Sequence, residues 1–238
     1  MLRTLRGYLI SNPASLVLFI LFYLSGAVAK RFGSQGHGVA RFFSRRLLGA
    51  AGIKVHANGL EHLRGGPFVL VANHLSLADT PLLMGYLPAD FRFIAKASLF
   101  RSPIIGAHLR RGGHIPVVRE DPRSAVKSLV QAAALLRQGI SILLFAEGTR
   151  SEGQMQDFKG GAAHLGIKTG ASVVPLAISG TPAILPKGSL TLLSGAVSIQ
   201  IGKPIPTTGL GPRDRDRLTN SIQHEVACLL KNSVQAPA

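Results

Sequence analysis

The stretch Asn73-His74-Leu75-Ser76-Leu77-Ala78-Asp79, led by Pro67-Phe68-Val69-Leu70-Val71-Ala72, decides how this chain is read. Phe68 to Val71 is a short, unbroken apolar run rich in aromatic and β-branched residues, the pattern of a strand covered on both faces. The chain turns polar at Asn73 and His74. Asp79-Thr80-Pro81 then gives a helix-start signal, with Pro81 near the first helical position. His74 therefore falls where a buried strand gives way to a helix, the end of the strand at which α/β folds place their chemistry. An imidazole suits proton abstraction near neutral pH, and a nearby carboxylate would hold it in one tautomer and stabilise the imidazolium. His74 and Asp79 would not share a face of one continuous helix, but across a strand-to-helix turn they can meet. A purely structural polar turn fits the same spacing.

The composition narrows the classes. Among 238 residues, Lys and Arg number 27 against 11 for Asp and Glu, a formal net charge of +16, while 46% of the residues are hydrophobic. A nucleic-acid binder interleaves aromatics with its basic patches; here aromatics are 6% and Trp is absent. Basic and apolar together point to an anionic membrane surface or to anionic substrates such as phosphates, coenzyme A or an acidic carrier protein. Cys228 is the single cysteine, which excludes an internal disulfide, and no Cys/His cluster has zinc spacing. The length suits one domain with a full core.

Gly7 to Ala29 carries no charge and is flanked by Arg3, Arg6, Lys30 and Arg31. Its apolar part, Ala14 to Ala29, would span roughly 24 Å as a helix, short of a bilayer core of about 30 Å. A shallow span, a re-entrant helix and an interfacial anchor all fit, and Ala27-Val28-Ala29 also resembles a signal-peptidase site. Gly38 to Ala51 reads as a basic amphipathic helix, with Phe42, Phe43, Leu47 and Leu48 among Arg41, Arg45 and Arg46. Together the two suggest a membrane-anchoring helix pair; a surface helix packed on the core is the other reading of the second.

Beyond it, strand and helix signals alternate. Strands are expected at Ile53–His56, Pro67–Ala72, Phe91–Ala95, His114–Val118, Ser141–Phe145, Val173–Ile178 and Val197–Ile201. Helices are expected at Asp79–Leu87, Pro103–Leu109, Pro122–Gln138, Gly160–Lys168 and Pro212–Lys231. Such alternation predicts an α/β sandwich with a mostly parallel sheet. Gly180 to Gly188 reads as a loop. The expected domains are residues 1–51, membrane-associated; 52–232, catalytic; and 233–238, a frayed end.

Further chemistry sits beside these elements. The buried run Ser141 to Phe145 ends in Ala146-Glu147-Gly148-Thr149-Arg150-Ser151. Gly148 lets a ligand approach the backbone, Thr149 and Ser151 supply hydroxyls, and Arg150 a planar fork suited to phosphate. Lys96 and Arg101 follow the strand Phe91 to Ala95. Pro175 inside a strand implies an edge or a bulge.

In order, these stretches resemble the 1-acyl-sn-glycerol-3-phosphate acyltransferase family. His74 and Asp79 match its N-H-x-x-x-x-D block; Lys96, Leu99, Pro103 and Gly106 match K-x-x-L-x-x-x-P-x-x-G. Glu147 to Ser151 match F-P-E-G-T-R-S, with Ala146 replacing the proline, and Pro175 matches V-P-x-x-I. The resemblance runs from about Pro67 to Ile178. It implies a glycerol-phosphate acyltransferase-like sandwich, a mostly parallel mixed sheet flanked by helices, with an N-terminal membrane-anchoring helix pair.

It further implies transfer of a fatty acyl group from acyl-CoA or acyl-carrier protein to the sn-2 hydroxyl of lysophosphatidic acid, without a cofactor or metal. On that reading His74 is the base and Asp79 its orienting carboxylate. Arg150, with Thr149 and Lys96, holds the acceptor's phosphate, while Gly148 allows close approach. Glu147 belongs to the acceptor site, binding the glycerol hydroxyl or bracing the loop, and Pro175 shapes the donor side. Backbone N–H groups near Lys96 to Leu99 or near Gly148 are the oxyanion candidates. The implied location is the cytoplasmic membrane, with the site on the cytoplasmic side, an anionic membrane surface as partner and no nucleic acid. A lyso-ornithine acceptor is the rival within the class. A hydrolase with Ser76 as nucleophile is a further alternative, against which stands the lack of a G-x-S-x-G elbow. The remaining histidines read as structural.

Overall fold

The computed structural model describes residues 35–102, 105–151, 154–189 and 191–234. The expected apolar segment Gly7–Ala29 lies outside the described residues, as do Pro103 of the second block and the last residues of the expected frayed end. Among the described residues no helix is long and apolar enough to cross a membrane.

In chain order the elements are α1 (Gln35–Ala50), β1 (Ile53–Asn58), β2 (Val69–Ala72), α2 (Asp79–Tyr86), β3 (Phe91–Lys96), α3 (Ile105–Arg111) and β4 (Ile115–Val117). There follow α4 (Pro122–Arg137), β5 (Ser141–Phe145), α5 (Gly161–Thr169), β6 (Val173–Ser179), α6 (Thr181–Ile184), β7 (Gly195–Ile201) and α7 (Arg215–Val234). Seven strands form one sheet in the order β1-β7-β6-β2-β5-β3-β4. Every pairing is parallel except β6 with β7. This is the expected α/β sandwich with a mostly parallel, mixed sheet.

The unbroken apolar runs have a direct cause. All four residues of β2 are buried, because helices cover both faces and no side of the strand meets water. One face packs Leu70 and Ala72 with Leu48 of α1 and Leu82 and Leu83 of α2. The other packs Val69 and Val71 with Ala132 and Leu136 of α4, Leu165 of α5 and Ile222 of α7. Helix starts follow their sequence signals: Pro122 opens α4 behind Asp121, whose side chain accepts the N–H of Arg123 at 2.9 Å.

Helix α1 belongs to this core. Ala40 and Leu48 are buried in it, and Arg45 Nε donates to Gly85 O at 2.6 Å and Arg41 Nη2 to Ala89 O at 3.2 Å. The second helix of the expected pair is therefore bound to α2 along one side and keeps Phe42 outward, 52% exposed with the Arg46 guanidinium over its ring.

Pro175 is not on an edge. Strand β6 lies inside the sheet, with Pro175 opposite Val71 of β2. The bulge does occur. Leu176 pairs with Ile201 and Val173 with Ile205, a slip of one residue in the antiparallel register, and Gly202 N donates to Pro175 O across it at 2.9 Å. A proline fits there because the regular ladder, which would need its missing N–H, is already broken. The stretch Gly180 to Gly188, read as a loop, opens with the single turn α6, and α7 runs to Val234, into the expected frayed end.

Candidate active site

The site forms where β2 and β5, side by side and parallel, release their chains at the same end of the sheet. Asn73 fixes the exit of β2. Its amide donates to Ile178 O at 3.0 Å and accepts from Ile178 N at 2.8 Å, tying the turn to β6.

His74 and Asp79 meet as the spacing allows. Asp79, fully buried at the start of α2, places Oδ2 2.8 Å from His74 Nδ1. The same oxygen accepts the N–H groups of Leu75 at 2.7 Å and Ser76 at 2.9 Å. This carboxylate folds the turn around itself and thereby sets the ring. Asp79 Oδ1 is buried without a hydrogen-bond partner among the described residues. The imidazole stacks on Phe145, centroids 4.0 Å apart and planes 14° from parallel. With Nδ1 directed at a carboxylate, the proton belongs on Nδ1, and Nε2 presents a lone pair.

Glu147 is buried and binds protein. Oε1 accepts the N–H of His74 at 2.8 Å and Oε2 that of Gln156 at 2.8 Å. Ser151 completes the clamp, with N 2.9 Å and Oγ 3.2 Å from His74 O. The backbone of His74 is thus held on both its N–H and its C=O by the chain that leaves β5. Both carboxylate oxygens of Glu147 thus receive a backbone donor, the contacts that a loop brace makes.

The remaining expected residues are dispersed around this centre. Gly148 adopts φ +75, a backbone conformation that calls for glycine. Its N–H donates to Phe145 O at 3.0 Å, which removes it from the oxyanion candidates. Thr149 is exposed and Arg150 half-buried. Arg150 lines a cavity of about 410 Å³ with Asn73, Leu75, Met155, Ile178 and Leu230. Lys96, exposed, ends β3 on the far side of β5 from His74. Pro175 is buried within β6. Ser76, the alternative nucleophile, is buried and turned away: its hydroxyl donates to Leu185 O at 2.8 Å. Among the described residues no three His, Cys, Asp or Glu side chains gather as a metal site.

Sequence reasoning did not single out Asn73, Phe145 or Gln156 for the site. Phe145 carried a signal, as the last residue of a strand beside the histidine; Gln156 carried none, since only its backbone takes part. The other buried histidines lie elsewhere. His114 Nδ1 accepts the N–H of Phe93 at 3.0 Å, and burial pushes its pKa down to about 3, with His108, Arg92 and His37 adding like charge. Burial likewise lowers His108 and His37, each to about 4.

An α/β sandwich with a His–Asp pair at a strand end and a Glu-Gly-Thr-Arg-Ser turn beside it defines an acyltransferase, and residues 54–179 match the Acyltransferase family model. The chain belongs to that family. It is 42% identical over 156 residues to the chloroplast 1-acyl-sn-glycerol-3-phosphate acyltransferase LPAT1 of Arabidopsis thaliana, a match covering 64% of this chain and 44% of that protein. It is 34% identical over 237 residues to a 1-acyl-sn-glycerol-3-phosphate acyltransferase of Chlamydomonas reinhardtii, covering 96% of this chain and 70% of that one. The chain thus spans less than half the length of the Arabidopsis relative it matches. In structure it resembles the 1-acyl-sn-glycerophosphate acyltransferase PlsC of Thermotoga maritima, with a TM-score of 0.75 and 26% identity over 96% of this chain and 99% of that one.

Proposed function

We propose that the protein transfers a fatty acyl group from an acyl thioester to the sn-2 hydroxyl of 1-acyl-sn-glycerol-3-phosphate, giving phosphatidic acid. The observation that carries this reading is the 2.8 Å contact of His74 Nδ1 with the buried Asp79. His74 Nε2 takes the hydroxyl proton as the oxygen attacks the thioester carbonyl. Asp79 stabilises the imidazolium that forms. The tetrahedral intermediate then collapses, the C–S bond breaks, and the leaving thiolate takes the proton from Nε2. A positioned base supplies about 10²- to 10⁴-fold; holding two substrates together and stabilising the oxyanion supply the rest. Transfer is direct, without an acyl-enzyme, in keeping with the buried and engaged Ser76 hydroxyl.

Arg150, with Lys96 and Thr149 in support, holds the acceptor's phosphate, and Gly148 permits close approach; Glu147 keeps His74 in place. Residues 1–51 hold the protein on the cytoplasmic membrane and residues 52–232 carry catalysis on its cytoplasmic side, where thioester donors occur. Exposed Leu77, Leu99 and Ile105, at 47%, 39% and 43%, belong to segments that follow strands at the site end of the sheet, near exposed Lys96 and Arg101. Apolar tips among cations suit an anionic bilayer surface, the reservoir of a lysolipid acceptor.

The test uses two acceptors on the purified protein. Phosphate is charged before, during and after transfer, so its ligand contributes binding common to ground and transition states. Arg150→Ala is expected to raise acceptor KM roughly 10- to 150-fold with kcat little changed, the worth of a charge-assisted contact. Arg150→Lys recovers part, since a point charge cannot replace the fork. The defect should shrink toward an acceptor without phosphate. Equal losses in kcat on both acceptors, with KM unchanged, would refute the phosphate assignment.

A further inference from the structure

Three of the exposed large apolar side chains lie on α4 or just before it, across β3 and β5 from His74. Val126 and Val130 on α4 are 62% and 52% exposed, and Val118 just before the helix is 42% exposed. In helical projection the outward stripe of α4 contains Arg123, Val126, Lys127, Val130, Ala134 and Arg137, all exposed. The inward stripe holds Ser128, Ala132, Ala133 and Leu136 against the sheet. The helix contains no acidic residue. The two acids preceding it are engaged locally: Asp121 caps the N–H of Arg123, and Glu120 lies beside Arg119. The result is a solvent-facing helix with an apolar centre and three cations around it, a pattern that folding does not require and that suits an acidic partner.

We infer that the outward face of α4 is the docking surface for an acidic acyl-carrier protein that presents the acyl thioester. The inference rests on the acyl-transfer reading above and names the donor for the same site. Two observations choose this occupant. First, the apolar residues of α4 are Val and Ala, whereas helices that lie in a bilayer surface use Trp, Phe and Leu. Second, a second copy of this chain would set like charges against each other. The geometry also fits. Helix α4 begins just after β4, and β4 is separated from β2 by β3 and β5, a span of about 14 Å at ordinary strand spacing. A flexible prosthetic arm crosses that span and brings its thioester to His74, while the carrier itself stays on the helix.

The experiment uses the full chain in lipid nanodiscs with lysophosphatidic acid as acceptor. The same acyl chain is offered on acyl-carrier protein and on coenzyme A. In the variant Arg123→Glu/Lys127→Glu/Arg137→Glu, KM for the carrier-bound donor should rise on the order of 10-fold or more, and should depend less on salt than in the wild type. Kinetics with acyl-CoA should stay within about twofold, which also shows that the variant folds. Equal loss on both donors, no change on either, or a wild type that uses acyl-CoA but not the carrier-bound donor would each overturn the docking surface. So would loss of binding to phosphatidylglycerol vesicles with carrier kinetics unchanged, which assigns the face to the bilayer. Failure of the wild type with both donors would instead sink the acyl-transfer reading itself.

Discussion

His74 and His114 are almost equally buried, at 9% and 8% exposure, yet their Nδ1 atoms meet opposite partners. His74 turns Nδ1 to the carboxylate of Asp79 and leaves Nε2 without a hydrogen-bond partner among the described residues. His114 turns Nδ1 to a backbone donor, the N–H of Phe93, and has His108, Arg92 and His37 for electrostatic neighbours. The first arrangement leaves the lone pair of Nε2 open. The second requires a lone pair on Nδ1 and opposes any added charge, so burial lowers the pKa of His114 to about 3. Burial alone therefore does not distinguish the two rings. The partner on Nδ1 does.

The largest effect belongs to the first histidine. His74→Ala should lower kcat by about 10²- to 10⁴-fold with acceptor KM little changed, because the group acts mainly in the transition state. Asp79→Asn should lose a comparable amount, since an amide nitrogen toward Nδ1 reverses the tautomer. Steady-state assays on both acceptors measure these. If His74→Ala retains turnover within a few-fold of wild type, the contrast between the two histidines has no catalytic meaning.

A middle effect belongs to the brace. Glu147→Gln keeps the shape but replaces one acceptor by a donor facing the N–H of His74 or Gln156. The buried bond is worth about 1.5–3 kcal/mol, so thermal unfolding should shift down and kcat should fall less than in His74→Ala. A Glu147→Gln variant with unchanged Tm and a raised acceptor KM would make Glu147 a ligand of the acceptor instead.

The smallest effect concerns His114 and appears only in acid. Its pKa is about 3 in the folded chain and 6.5 as the ordinary value. Between these values the unfolded chain binds the proton and the folded chain does not, so stability falls as pH drops below about 6.5 toward about 3. From pH 7 to pH 5 this histidine should cost roughly 2 kcal/mol. His108 and His37, also lowered, act with the same sign. His114→Gln should be less stable at pH 7 and flatter with pH below it, measured by denaturant unfolding at each pH. An unchanged slope would mean that His114 is accessible to protons in the folded chain.

Much of this was legible in the residues, for physical reasons. Phe68 to Val71 and Ser141 to Phe145 read as covered strands because helices on both faces remove any need for alternation. The His74–Asp79 pair was legible because both ends of a short turn carry their chemistry in side chains. The antiparallel direction of β7 was not, since a period of two looks the same along either direction. Pro175 announced a bulge, but its interior place in the sheet depends on strand order, which no local pattern encodes. Bracing by Glu147 was one of two readings; its partners were not legible because they are backbone N–H groups, one far back in the chain at His74 and one ahead at Gln156.

Asp79 keeps one further consequence. All three hydrogen bonds of its carboxylate converge on Oδ2, while Oδ1 has none among the described residues. One oxygen atom therefore ties together the His74 ring and the backbone N–H groups of Leu75 and Ser76. A change at Asp79 reaches the ring and the shape of the turn together, so neither can be altered there alone.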